Sequence, residues 1–183
     1  TALETMYAQL AEEDFVPYVN KIVNNYNYGT LKGEVCAGRI ENSTGGRFLV
    51  NSIENNVKAD VVFESIYVGG LIHPNGKYSK VDSIKTVAEG ATFNGTYYGG
   101  SSGSGCVIGD ITNTLKDLTC NQTTNKSLYM GGGNKAKSIG IITNELTNVD
   151  AGMCYIYGGG SGVHTMPENA EYAMVTTIDG GEY

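Results

Sequence analysis

Short bursts of alternating apolar and polar residues recur along most of this chain, each ending in a tyrosine–glycine run. The fullest run is Tyr129-Met130-Gly131-Gly132-Gly133. Weaker copies stand at Tyr67-Val68-Gly69-Gly70, Tyr97-Tyr98-Gly99-Gly100 and Ile156-Tyr157-Gly158-Gly159-Gly160, with a degenerate one at Cys36-Ala37-Gly38. The first glycines of these runs lie 31, 30, 32 and 27 residues apart. A period in that range marks a solenoid or array. Alignment on the first glycine gives two mostly apolar columns, Ala37/Val68/Tyr98/Met130/Tyr157 and Val35/Ile66/Thr96/Leu128/Tyr155. They are two residues apart, so they share one face of a strand and are the expected core. A second β-branched strand precedes each run, at Leu49–Ile53, Val81–Lys85, Ile108–Thr112, Ile139–Thr143 and Tyr172–Thr176. Each repeat thus supplies at least two short strands, which satisfy their backbone groups by stacking in parallel on the next repeat, at about 4.8 Å per rung. The pattern therefore predicts a parallel β-helix over residues 31–183, with the glycines at corners where φ is positive.

The opening of the chain reads differently. Leu3, Met6, Tyr7 and Leu10 fall at helical spacing, Asp14 and Pro17 mark a stop and restart, and Val19, Ile22, Val23 and Tyr26 continue an apolar face. Residues 1–30 are thus expected to form a short helical cap over the raw end of the solenoid. At the other end, Gly181-Glu182-Tyr183 matches Gly95-Thr96-Tyr97 as the start of a further repeat. More repeats, or another chain paired at that edge, are expected there. The start at Thr1 without an apolar leader reads as a processed product or an excised piece.

Composition narrows the classes. The 26 glycines against 3 prolines and no tryptophan, without a Gly-X-Y period, indicate many close turns and not collagen. A net charge of −7 argues against nucleic acid and anionic membrane surfaces as partners. No 18-residue apolar run predicts membrane insertion. Low charge and abundant Asn, Ser and Thr fit a secreted or cell-surface protein. The four cysteines, Cys36, Cys106, Cys120 and Cys154, form no CxxC pair and no zinc spacing. Cys36 and Cys154 lie nearly four repeats apart, roughly 19 Å on stacked rungs, beyond disulfide reach. Cys106–Cys120, Cys120–Cys154, or buried thiols remain the alternatives.

The units Gly95-Thr96-Tyr97-Tyr98-Gly99-Gly100, Ser127-Leu128-Tyr129-Met130-Gly131-Gly132-Gly133 and Tyr155-Ile156-Tyr157-Gly158-Gly159-Gly160 carry a resemblance. Residues 31–183 resemble the glycine-rich, right-handed parallel β-helix repeats of bacterial adhesin-like surface proteins of the pectate-lyase-like superfold. The resemblance implies an all-β, right-handed solenoid. It leaves function open, because such folds host adhesins, polysaccharide lyases and phage tailspikes alike.

Candidate chemistry is sparse. Asp82 and Asp110 stand on adjacent rungs of the second strand and form the one acidic pair, as a catalytic dyad or a calcium site; no cofactor is otherwise indicated. His73 and His164 fall in loops after the glycine run, roughly 14 Å apart along the axis, too far to share a metal, and read as surface histidines. Asn-x-Ser/Thr sequons at Asn42, Asn94, Asn121 and Asn125 are close to chance frequency in so Asn-rich a chain. Tyr67, Tyr97 and Tyr129, two residues before the first glycine, are predicted to face outward as a ladder able to carry sugar rings or a partner's apolar patch. The function expected is non-catalytic: adhesion, binding of glycans or other surface proteins, or cell-surface structure. The alternatives are a polysaccharide lyase or glycoside hydrolase, and a self-assembling filament or scaffold subunit.

Overall fold

The structure, a computed structural model, describes residues 15–39, 47–73, 79–103, 106–120, 126–133, 135–164, 171 and 173–183. It is an all-β solenoid in which every strand pairing is parallel. The coils are built from three kinds of strand, one more than the two located in the sequence. A long strand is followed by a short one and then by a strand leading into the glycines. The long ladder comprises Phe15–Tyr26, Arg47–Val57, Ser79–Glu89, Cys106–Lys116, Ile142–Asp150 and Met174–Glu182. The short ladder comprises Gly29–Leu31, Val61–Phe63, Thr92–Phe93 and Thr119–Cys120. The glycine ladder, a five-stranded sheet, comprises Val35–Arg39, Tyr67–Ile72, Tyr97–Tyr98, Lys126–Tyr129 and Cys154–Tyr157. Lys137–Ser138 and Val163–His164 prolong the long face beside Val107 and Ile108.

The expected helical cap is not what residues 15–26 form. Phe15–Tyr26 is the first long strand, with Ile22 opposite Ile53, Asn24 opposite Asn55 and Tyr26 opposite Val57. Val19, Ile22, Val23 and Tyr26 suit a period of 3.6, but Ile22, Asn24 and Tyr26 also fit a period of 2. Pairing with the next coil gives the strand hydrogen bonds and buried neighbours that a lone amphipathic helix lacks. The remainder of the expected cap, residues 1–14, lies outside the described residues.

Inside the coil, side chains stack in columns one rung apart. Ile53, Ile84, Ile111 and Ile142 form one fully buried column, and Val57, Ala88, Leu115 and Leu146 another. Each buried Ile, Leu or Val contributes about 1.5–3 kcal/mol by leaving water. Phe63 stacks on Phe93 at 4.9 Å and 9°, and Tyr67 on Tyr97 at 5.2 Å and 13°. Between the aliphatic columns runs a polar one: Asn24, Asn55, Thr86, Asn113, Asn144 and Thr176. These side chains bond along the column, Asn113 Nδ2 to Asn144 Oδ1 at 2.8 Å and Asn144 Nδ2 to Thr176 Oγ1 at 3.0 Å. They also cross the interior: Asn55, Asn113 and Asn144 donate to the carbonyls of Gly69, Met130 and Gly158. The polar column thus ties the long sheet to the glycine sheet, and it satisfies groups that would otherwise be costly to bury.

The glycines of the runs do not serve the corners. A Cβ on Gly70 would lie 2.7 Å from Ile84 Cδ1, and one on Gly100 would lie 2.9 Å from Cδ1 of both Ile108 and Ile111. Glycine is needed there because isoleucines of the long sheet fill the space. The sharp corner falls instead at the far end of the long strand, just past it at Gly90 and Asp117 and within its last residues at Asn148 and Gly180, with φ of 71°, 52°, 51° and 67°. Gly, Asp and Asn are the residues that tolerate this left-handed geometry.

Candidate functional site: an outer tyrosine ribbon

The register of the glycine ladder decides which tyrosines meet solvent. Tyr67 pairs with Tyr97 and Tyr97 with Leu128, which in turn faces Ile156. This column points inward, and Tyr67 and Tyr97 are fully buried. The outward ladder expected of Tyr67, Tyr97 and Tyr129 is therefore corrected: only Tyr129 lies on the outer face. Its column is Val68, Tyr98, Tyr129 and Tyr157. Met130 causes the one-residue discrepancy. It occupies the place that Gly99 holds one rung earlier, since Gly99 N–H donates to Tyr129 O and Met130 N–H to Tyr157 O. Alignment on the first glycine therefore slips the fourth copy by one residue, and a one-residue slip exchanges the faces. The expected buried column of Val68, Tyr98, Met130 and Tyr157 is corrected likewise. Val68 and Met130 are buried, Tyr98 is half-buried and Tyr157 is 44% exposed. Ile66 and Tyr155, expected in the core, are also exposed.

The outer rings form a continuous stack. Tyr98 and Tyr129 lie 5.3 Å apart at 8°, and Tyr129 and Tyr157 lie 4.8 Å apart at 10°. Tyr155 adds a tilted ring 6.5 Å from Tyr157. Gly133 supports the first ring, for a Cβ there would come within 2.5 Å of the Tyr98 ring carbons. Burial raises the Tyr98 phenol pKa, and so does the neighbouring Tyr129, while a hydrogen bond with Ser161 opposes them. Rings stacked this closely spend their faces on one another. What the ribbon offers along its length is ring edges and phenol groups at rung spacing; among the described residues the most exposed rings are at its Tyr157 and Tyr155 end, 44% and 54% exposed.

Asp82 and Asp110 lie on adjacent rungs but one residue out of register, since Asp110 is opposite Ser83. Both line a groove of about 280 Å³ with Lys80, Gly109, Ile139, Gly140 and Ile141. An adjoining recess of about 330 Å³ includes Asp110, Thr112, Ile141, Thr143 and Val175. Lys80 Nζ neutralises Asp82 Oδ1 at 2.7 Å, and Asp110 Oδ1 accepts the Ile141 N–H at 2.9 Å. Each carboxylate thus already has a partner, and no group of three His, Cys, Asp or Glu side chains among the described residues is placed to hold a metal ion.

The histidines are not surface loop residues. His73 is buried, and burial lowers its pKa. His164 is opposite Ser138, which is opposite Ile108, so it ends an inward column, and burial lowers its pKa too. None of the four cysteines is in a disulfide. Burial pushes the Cys106 thiol up to about 11 and the Cys120 thiol up to about 12, the nearby Cys154 adding to the second. Both stay protonated at neutral pH, which makes them poor nucleophiles. Of the sequons, Asn94 lies between strands of the third coil, and Asn42, Asn121 and Asn125 lie outside the described residues.

Sequence reasoning missed the interior Asn/Thr column and the short ladder. The column has a signal: an apolar residue, one position, then Asn or Thr, at Ile53/Asn55, Ile84/Thr86, Ile111/Asn113 and Ile142/Asn144. No known family model, curated protein or solved structure matches the chain.

Proposed function

We propose that this solenoid is a non-catalytic, adhesin-like binding module, secreted or displayed on a cell surface, which engages a glycan or a partner protein through its outer tyrosine ribbon. The observation that carries the reading is the Tyr98–Tyr129–Tyr157 stack, ordered by β-pairing and presented on the outer face. A ligand laid along it meets phenol groups at regular spacing, and an apolar or sugar ring stacks at Tyr157. Tyrosine suits such a surface because it joins a large apolar body to a hydroxyl and loses little side-chain entropy. The winding is proposed to be right-handed, as parallel crossover connections nearly always are. A low charged fraction of 17% fits an extracellular setting.

The test is binding to an array of neutral and acidic oligosaccharides, and to extracellular-matrix proteins, by the native chain and by a Tyr129→Leu/Tyr157→Leu double variant. Binding that falls at least tenfold while the fold survives supports the ribbon. No binding by the native chain, or equal binding by the variant, ends the reading. The same samples, incubated with acidic polysaccharide and calcium, would reveal unsaturated chain ends if the Asp82/Asp110 groove were a lyase site.

A further inference from the structure

We propose that Cys120 and Cys154 are the two halves of a disulfide that staples one coil of the solenoid to the next. The fold keeps their other partners away. Cys106 opens the long strand Cys106–Lys116, 11 residues in length, and Cys120 lies beyond its far end, so a whole face of the coil separates them. Cys36 is four rungs from Cys154 along the glycine ladder. Cys120 and Cys154, by contrast, meet at the corner between the short and glycine ladders. Thr119 is opposite Asp150, which sets Ala151 on the rung above Cys120. The chain turns back there at once: Gly152 takes a φ of 57°, and Cys154 N–H donates to Ala151 O at 2.9 Å. Asp150 Oδ1 braces the turn by accepting the Gly152 N–H at 3.0 Å. Both cysteines face inward. Cys120 continues the buried column of Phe63 and Phe93. Cys154 is two residues before Ile156, which is opposite the inward Leu128, and it packs against the core. Where Phe63 and Phe93 fill the earlier coils, the smaller Cys120 and Ala151 leave room for a second sulfur. The two thiols are hydrogen-bond partners, so they already stand side by side.

The bond forms by exchange with a small-molecule disulfide. One of the two thiols loses its proton, and its thiolate attacks a sulfur of the small disulfide, displacing the other sulfur as a thiolate that takes up a proton. The partner thiol then loses its proton and attacks the protein sulfur of the mixed disulfide. The Cys120–Cys154 bond forms and the second small thiol leaves. Two protein thiols are oxidised, and one small disulfide is reduced to two thiols. Burial and the neighbouring Cys154 hold Cys120 protonated, so the exchange is slow at neutral pH and quickens as pH rises. The linked form prevails in an oxidising compartment. It closes a loop of about one coil, which limits the unfolded chain. It also ties the strand Cys154–Tyr157, the bearer of Tyr155 and Tyr157, to the short ladder beneath it.

Peptide mapping tests this. The reduced chain is incubated at pH 8 with glutathione disulfide, remaining thiols are blocked with N-ethylmaleimide, and tryptic peptides are weighed without reduction. Cleavage after Lys32, Arg39, Lys85, Lys116, Lys126 and Lys137 puts the four cysteines on four peptides. The expected product joins residues 117–126 to residues 138–183 within one chain, both thiols disappearing at the same rate while the circular dichroism spectrum stays unchanged. Cys36 and Cys106 are expected to end as thiols or glutathione adducts. In Cys120→Ser, Cys154 should stop as a thiol or a glutathione adduct, with no cross-link. The native chain decides alone, so a variant that misfolds leaves the test intact. Cys120 and Cys154 ending as separate thiols or adducts, or either one joined to Cys36, Cys106 or a second chain, overturns the proposal. Ligand binding by the ribbon does not enter the measurement, so failure of that reading would leave this result untouched.

Discussion

Asn113 is the side chain whose removal should cost most for its size. Its Oδ1 accepts from Tyr97 Oη at 2.6 Å, and its Nδ2 donates to Met130 O at 2.9 Å and to Asn144 Oδ1 at 2.8 Å. The residue is fully buried, so Asn113→Ala strands three polar groups away from bulk water. A buried polar group left unsatisfied costs about 1–3 kcal/mol. Three of them give roughly 3–9 kcal/mol, with the lower end expected because the vacated space is polar and can admit a water. That is a large share of the roughly 5–15 kcal/mol by which a domain is stable. The assay is urea unfolding followed by circular dichroism. With an m-value of about 1–3 kcal/mol/M, the midpoint should fall by more than roughly 1 M. Asn20→Ala is the control: Asn20 Oδ1 accepts from Asn51 Nδ2 at 3.0 Å on the exposed side, and its loss should stay within about 0.5 kcal/mol. Asn113→Thr, the residue type that Thr86 supplies one rung away, should recover part of the loss. If Asn113→Ala and Asn20→Ala shift the midpoint equally, the interior polar column does not tie the sheets together.

Other consequences follow from packing and burial. Gly100→Ala should destabilise by about 1–3 kcal/mol, because its Cβ meets Ile108, Ile111 and, at 3.0 Å, the backbone of Gly132; Gly33→Ala, with nothing within 4 Å, should be near neutral in the same melt. The Cys120 thiol is raised from 9.0 to about 12 in the fold, so its contribution is intact below about pH 9 and is lost as pH rises toward 12. Melting temperature should therefore fall across that window, and less steeply in Cys120→Ala. Native-state alkylation at pH 8 should modify half-buried Cys36 and Cys154 before Cys106 and Cys120, whereas equal rates would contradict the burial.

The architecture was legible because each coil must repeat its hydrophobic pattern to stack, and the tyrosine–glycine runs made that period visible. Register was harder to read. Met130 stands where the neighbouring coils carry Gly69, Gly99 and Gly158, and a text alignment that counts from glycine cannot see that substitution. Leu128 beneath Tyr97, and the bond from Asn113 to the Met130 carbonyl, fix the true offset through tertiary contacts. The strand at residues 15–26 was hidden for a related reason. Asn24 lies on its inward face, so the apolar alternation is broken where the interior is polar, and the remaining apolar residues mimic a helix. His73 looks like a loop residue in sequence, yet it is buried, because its N–H pairs with Ser102 O of the next coil and keeps it on the stacked rungs. The outer ribbon was anticipated as a feature but assigned to two wrong rings, because one residue of register separates the inside of a strand from its outside.

The central claim is that register: Tyr67 and Tyr97 inside, and Tyr98, Tyr129 and Tyr157 stacked outside. Ring-to-ring nuclear Overhauser effects on the isotopically labelled chain test it most directly. The account predicts contacts from Tyr129 to both Tyr98 and Tyr157, whose ring centroids lie 5.3 and 4.8 Å away, and from Tyr67 to Tyr97 at 5.2 Å. Contacts from Tyr97 to Tyr129, with none between Tyr129 and Tyr98, would contradict it.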